Sequence, residues 1–381
     1  MNPSMQKSLG SVAGLAMAFS VQAETLRVFV GTYTGAKSEG IYAFRFDNQS
    51  GAVEPLGLAA KSSNPSFLAL SPNQRFLYAV NEDMKFQGQA AGSITAFAIP
   101  SQGTVLQELN QQSSMGTAPC HLTVDRSGHH VLAANYFGGS VISLPIQPDG
   151  SLRPHASFHQ HTGSSVDPAR QKEPHAHSIN MSPDNRYALA ADLGLDKILI
   201  YGFDPKTGVL KDHPHAASLP PGSGPRHFAF APDGRHAFVI NEMLSTLTSF
   251  AYDPAHGSLK IIQTLSTLPP GAAPNKNTST AQVCVHPNGK FVYGSNRGDD
   301  SIAVFSVSPE GKLTWVERVS TQGKTPRNFN LDPSGRFLWA ANQSSDSIVL
   351  FRVDPNTGRL TPTGKTLSVG SPVCVVFAQG S

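Results

Sequence analysis

The chain has 381 residues, of which only 14% are charged, with 34 glycines and 29 prolines. That composition argues for one large β-rich unit with many turns rather than for long helices. A formal net charge of +3 excludes the strongly basic footprint of a protein that binds nucleic acid or an anionic membrane surface.

Residues 1–23 stand apart from the rest. Lys7 precedes an apolar stretch of small residues, and Val21-Gln22-Ala23 forms a small-x-small cleavage signature. This reads as a secretory signal peptide cut after Ala23, too short and too rich in small residues for a membrane span. The expected destination is a Gram-negative periplasm, with residues 24–381 forming a single domain. Cys120, Cys284 and Cys374 are an odd, sparse set. An oxidising compartment permits a disulfide, but these three read as small buried residues.

From there the chain repeats itself. SPNQRFLYAVN ends at Asn81, DRSGHHVLAAN at Asn135, SPDNRYALAAD at Asp192, APDGRHAFVIN at Asn241, HPNGKFVYGSN at Asn296 and DPSGRFLWAAN at Asn342. Each is two alternating strands around a tight turn, the signal of a β-hairpin. A second strand-turn-strand unit follows each, for example GSITAFAIPSQGTVL near residue 92 and DSIVLFRVDPNTGRL near residue 346. There are seven such units, 46 to 57 residues apart. Four short strands repeated seven times predict an all-β, seven-bladed β-propeller with four-stranded antiparallel blades. TLRVFVGTYTG at the start matches the second strand of a repeat, and SPVCVVFA at the end matches the first. Pairing of these two ends would close the ring and remove its open edge.

Take the four strands of a blade as A to D, with A innermost. Strands A and B are antiparallel, so the start of A and the end of B share one rim. Arg226 and Glu242, sixteen residues apart, therefore face the same mouth of the central channel. The first position of strand A is Ser66, Cys120, His177, Arg226, Ala281 or Arg327, followed by Phe67, His121, Ser178, His227, Gln282 or Asn328. The ends of strand B add Asn135-Tyr136, Asp192, Asn241-Glu242 and Asn296-Arg297. The opposite face shows no such cluster.

Each residue also has a plainer role. Arg226 and Glu242 can be an ion pair within one blade. The Asn or Asp ending strand B can cap the following loop. Arg297 can be a solvated charge. His175 and His177 share a strand face but have no third metal ligand nearby in sequence. Convergence of several charges on a narrow channel is nevertheless the usual mark of a site. No Gly-rich phosphate loop, G-x-S-x-G elbow or H-E-x-x-H is present.

GPRHFAFAPDGRHAFVINE, PHAHSINMSPDNRYALAADLG, HPNGKFVYGSNRG and TPRNFNLDPSGRFLWAANQ closely resemble the bacterial lactonase family of seven-bladed propellers. That family includes 6-phosphogluconolactonase and the fungal carboxymuconate-lactonizing enzyme. The resemblance spans nearly all of the chain after the leader. It implies a site of His177, Arg226, Arg297 and Glu242, and it implies no cofactor and no metal. Gln282 stands where the family often has an acidic residue, so that carboxylate takes no part here.

Together with the leader, the resemblance implies periplasmic hydrolysis of glucono-1,5-lactone to gluconate, a small-molecule substrate with no nucleic-acid or membrane partner. Water would attack the lactone carbonyl. Glu242 or His177 would take its proton, with Glu242 preferred if its walls are apolar. Arg226 and Arg297 would stabilise the oxyanion. His227, His175, Asn135, Tyr136, Asp192, Gln282 and Arg327 would contact the sugar. The alternatives are hydrolysis of 6-phosphogluconolactone, a muconate-type cycloisomerase, and a non-catalytic interaction scaffold.

Overall fold

The hairpin at residues 225–242 shows how each repeat folds. Pro225–Phe230 and His236–Asn241 pair antiparallel around the Pro-Asp-Gly-Arg turn. Gly234 sits at φ +66°, in the left-handed region that such a tight turn requires and that glycine enters without steric cost. Asn185 occupies the same place in its own repeat at φ +61°, and asparagine is among the residues that tolerate it best.

The computed structural model describes residues 25–380, so the signal peptide read over residues 1–23 lies outside the described residues. They form seven four-stranded antiparallel sheets. Blade 1 takes strand A from Pro372–Gln379 and strands B, C and D from Thr25–Thr32, Gly40–Asp47 and Val53–Lys61. The two chain ends pair antiparallel from Leu26↔Gln379 to Gly31↔Cys374. The ring therefore closes as the sequence predicts. Blades 2 to 7 are consecutive meanders starting at Leu68, Pro119, Ala176, Pro225, Ser279 and Pro326.

Strand B is buried along its length in blades 2 to 7 except at Arg297, and seven apolar clusters fill the spaces between adjacent blades. The cluster at the closure is built on Trp339 of blade 7, which is fully buried. Its ring meets Phe44, Phe46 and Phe377 of blade 1 edge-on, with centroids 6.0, 5.2 and 5.7 Å away. Edge-to-face packing of this kind adds to the burial of the rings themselves. It ties the closing blade to its neighbour.

The shared rim is also as expected. Pro119 pairs with Asn135, Ala176 with Asp192, Pro225 with Asn241 and Pro326 with Asn342. Immediately after each of these pairs the register shifts, at Cys120, His177, Arg226–His227 and Arg327. Such irregularities re-aim side chains beside a site.

Candidate active site

A cavity of about 330 Å³ opens at this rim, lined by Glu82, Cys120, Tyr136, Phe137, Arg170, His177, Glu242, Arg297 and Arg327. That volume is at the small end of the range for small-molecule sites, roughly 300–1,000 Å³. Wider hollows exist at the opposite, turn-bearing face. The one of about 430 Å³ has Arg126 as its only charged lining residue. Another, of about 530 Å³, has Asp233, Arg235, His236 and Lys290 in its lining, but the first two and Lys290 are exposed. A convergence of buried ionisable groups, rather than size, makes the rim cavity the candidate site.

Glu242 is its electrostatic centre. Arg226 Nε donates to Oε2 at 3.0 Å, Arg297 Nη2 approaches the same oxygen at 3.0 Å, and Arg170 Nη2 donates to Oε1 at 2.8 Å. Burial alone would raise the proton affinity of this carboxyl. The guanidiniums of Arg297, Arg226 and Arg170 outweigh it and hold Glu242 far below the usual carboxylate range. The preference for Glu242 as proton acceptor depended on apolar walls. Its walls are arginines, and a carboxylate so strongly stabilised is a weak base.

Arg226 is 2% exposed and does not line the cavity. Besides Glu242, its Nη1 donates to Ala281 O and lies 3.3 Å from His227 Nε2. Burial, with the charges of Arg297 and Arg327, pushes its pKa down to about 9, so it remains cationic at neutral pH. It positions Glu242; the expected oxyanion contact does not fit its place. Arg297 does reach the wall, held by Nη2 on Thr280 O at 2.8 Å.

His177 lines the cavity with Nε2 3.9 Å from Glu242 Oε2 and Nδ1 3.5 Å from Cys120 Sγ. Burial first, then Arg226 and Arg327, keeps it neutral well below the ordinary histidine range. Cys120 is inert for the same reason, because burial pushes its thiol far up. Iodoacetamide is therefore expected to leave Cys120 unlabelled in the folded protein and to label it after denaturation, as read by mass spectrometry.

Several expected sugar contacts lie elsewhere. Asn135 is fully buried, and its Nδ2 donates to Ser114 O and Ser140 Oγ. Asp192 is fully buried, accepting from the backbone N–H of His175 and Gly194 and bonded to His161 Nδ1 at 2.6 Å. Both close the loop after strand B, their plainer reading. His175 stacks on Tyr136, ring centroids 4.6 Å apart, with Nδ1 3.1 Å from Tyr136 O, and so supports that residue without lining the cavity. His227 and Gln282 are hydrogen-bonded to each other deeper in the channel and are likewise absent from the wall. Tyr136 and Arg327 do line it.

Strand-end reasoning missed Arg170, Glu82 and Phe137. Arg170 lies in the long connection from Gln160 to Ala176, anchored by Asp167 Oδ1 on the Arg170 N–H and by Gln171 Nε2 on Leu193 O. Glu82 was legible, since Asn81-Glu82 follows strand B of blade 2 as Asn241-Glu242 follows that of blade 5.

Residues 27–377 match the family model described as "Lactonase, 7-bladed beta-propeller". A 6-phosphogluconolactonase of Bacillus subtilis (strain 168) is 42% identical over 350 residues, covering 92% of this chain and 97% of that protein. A 6-phosphogluconolactonase of Formosa agariphila is 36% identical over 80% of this chain and 86% of its own length. The solved structure of the Pseudomonas aeruginosa periplasmic gluconolactonase superposes with a TM-score of 0.87 at 36% identity, covering 94% of this chain and 100% of that one. The closed ring, the arginine-bound glutamate at its rim and these likenesses over nearly the whole described chain make one statement: the protein belongs to the lactonase family of seven-bladed β-propellers.

Proposed function

We propose that this cavity hydrolyses a sugar lactone to the corresponding aldonate, and that the preferred ring carries a phosphate, as in 6-phosphogluconolactone. The observation that carries this reading is the charge balance. Three guanidiniums, Arg170, Arg297 and Arg327, line the mouth with two carboxylates, Glu82 and Glu242, and Arg226, buried behind Glu242, adds a fourth positive charge. Two positive charges are left over for an anion. The sequence alone placed neutral glucono-1,5-lactone first. This surplus and the names of the Bacillus and Formosa relatives move the phosphorylated lactone ahead of it.

Arg297 and Arg327 supply positive charge where the carbonyl oxygen becomes an oxyanion and where the product carboxylate forms. Arg170 is the outermost cation, its side chain 43% exposed and steadied by Tyr136 Oη at 3.1 Å. It suits a phosphate entering from solvent. Hydrogen bonds to charged groups are each worth about 1.5–3 kcal/mol, so Arg170→Ala should raise KM for the phosphorylated lactone roughly 10–100-fold. The same change should move KM for glucono-1,5-lactone by less than about threefold, since that ring brings no charge to Arg170.

Proton release in weak buffer, read above spontaneous opening, tests both substrates on one protein. A kcat/KM for the phosphorylated ring no greater than for the neutral one would overturn the phosphate preference. It would favour the second reading, a periplasmic gluconolactonase, which rests on the leader sequence and on the likeness to the Pseudomonas aeruginosa enzyme. Cell fractionation of the full chain tests the export that reading needs.

A further inference from the structure

The dipeptide Asn-Glu ends strand B twice, at residues 81–82 in blade 2 and 241–242 in blade 5, three blades apart around the ring. Both glutamates line the same cavity. Their surroundings are opposite. Glu242 has both oxygens taken by arginines. Glu82 makes no ion pair among the described residues. Its Oε2 accepts from Tyr33 Oη at 2.8 Å and from Ser66 Oγ, and its Oε1 makes no protein hydrogen bond among the described residues.

We infer that Glu82 is the general base of this cavity, held through Oε2 by Tyr33 and Ser66 so that Oε1 meets the water that attacks the lactone carbonyl. The assignment rests on the lactone-hydrolysis reading above.

The supporting chain is directional. Arg327 Nη2 donates to Tyr33 Oη at 2.8 Å, with its guanidinium 5.2 Å from the centre of the Tyr33 ring. The Tyr33 hydroxyl then donates to Glu82. Burial drives the proton affinity of Tyr33 up, against the charge of Arg327, so the phenol stays a donor. Orientation by a second group, with one oxygen left free, is what a positioned base requires. Glu242, stabilised as an anion by three guanidiniums, and His177, held neutral by burial and by the neighbouring arginines, are both weakened as proton acceptors.

The step balances without a further reactant. The water oxygen bonds to the carbonyl carbon while one water proton passes to Glu82 Oε1 and the carbonyl π pair moves onto oxygen. Collapse re-forms the carbonyl and breaks the ring C–O bond. The ring oxygen leaves with that electron pair and takes the proton back from Glu82. The carboxylic acid so formed loses its proton to solvent. Glu82 is a catalytic residue in this scheme, and Tyr33 is a positioning residue.

The experiment compares the wild-type full chain with Glu82→Gln, Glu82→Ala and Tyr33→Phe, on both lactones and across pH, with thermal melts to confirm folding. Glu82→Gln should lower kcat by about 10²- to 10⁴-fold with KM changed less than about threefold. It should also abolish the acid limb of the wild-type pH–rate profile, which reports protonation of the base. Added formate should restore part of the activity of Glu82→Ala but none of that of Glu82→Gln, an effect that a purely structural role would not produce. Tyr33→Phe should lower kcat about tenfold by losing one hydrogen bond to a charged group. If the wild type accelerates lactone opening while Glu82→Gln keeps its kcat and its acid limb, the base assignment is wrong and the lactonase reading stands. If the wild type accelerates neither lactone, the hydrolysis reading fails and the base assignment with it.

Discussion

Glu242→Ala is expected to destabilise the fold by about 3–5 kcal/mol, the usual cost of breaking a buried ion pair from one side. The carboxylate is 5% exposed and Arg226 is 2% exposed. Arg297 is also largely covered, with 15% of its side chain exposed. Removing Glu242 leaves these two cations side by side; Arg297 already lowers the proton affinity of Arg226, and Arg327 lowers that of both. The loss should be readable as a lower denaturant midpoint at unchanged slope.

Two companions separate this account from simple loss of packing. Arg226→Met with Glu242→Gln should be less damaging than the two single changes combined, with a coupling of about 1–3 kcal/mol. Inorganic phosphate should return part of the stability lost in Glu242→Ala, because an anion can occupy the vacated place between the arginines. A loss below about 1 kcal/mol, insensitive to phosphate, would mean that the arginines do not need the glutamate. Turnover should fall in the same variant, since Arg297 and Arg170 are both aimed by Glu242.

The fold was legible because it is a repeat. The Pro-x-Gly turns, the alternation and the mismatched chain ends all follow from local chemistry, and the ring closes as those ends require. The mouth at which the site lies followed from hairpin antiparallelism alone. Depth in the channel did not. Arg226 and Arg327 hold equivalent positions at the start of strand A, yet one sits against Glu242 and the other lines the cavity. The register shifts beside them differ, skipping Arg226 and His227 in one blade and Arg327 alone in the other, and spacing does not reveal them. Asn135 and Asp192 could have capped a loop or met a substrate, and complete burial selects the first. Arg170 was beyond reach for another reason. The course of its connection depends on Asp192 holding His161 and on Leu193 O receiving Gln171, contacts that bridge 31 and 22 residues. Glu82 needed only the comparison of one repeat with another.

Acid should unfold this protein earlier than its carboxylates alone would dictate. His121, His177 and His227 are 6%, 4% and 5% exposed, and the ring of His227 lies 5.3 Å from that of His121 and 5.4 Å from that of His177. Burial and then Arg226 push all three below the ordinary histidine value, His121 to about 3. In the unfolded chain each takes a proton near pH ~6.5. Below that point the unfolded state binds more protons than the native one, so stability falls as pH falls. Each histidine contributes a slope of up to about 1.4 kcal/mol per pH unit, and the three together roughly 4. Above about pH 7 this contribution is complete and flat. Glu242 acts in the same direction at lower pH: its folded affinity is depressed, so its contribution is present above its ordinary value of 4.5 and is lost as pH falls further. Denaturation midpoints should therefore hold steady from about pH 8 to 7, drop steeply from about 6.5, and continue to drop past the carboxylate range. His121→Gln removes one of the three protons and should flatten the first drop by about a third. A stability that stays level down to about pH 5 would show that these rings accept protons in the folded channel. The charge facing a substrate at its mouth would then rise on acidification instead of remaining that of the arginines and glutamates.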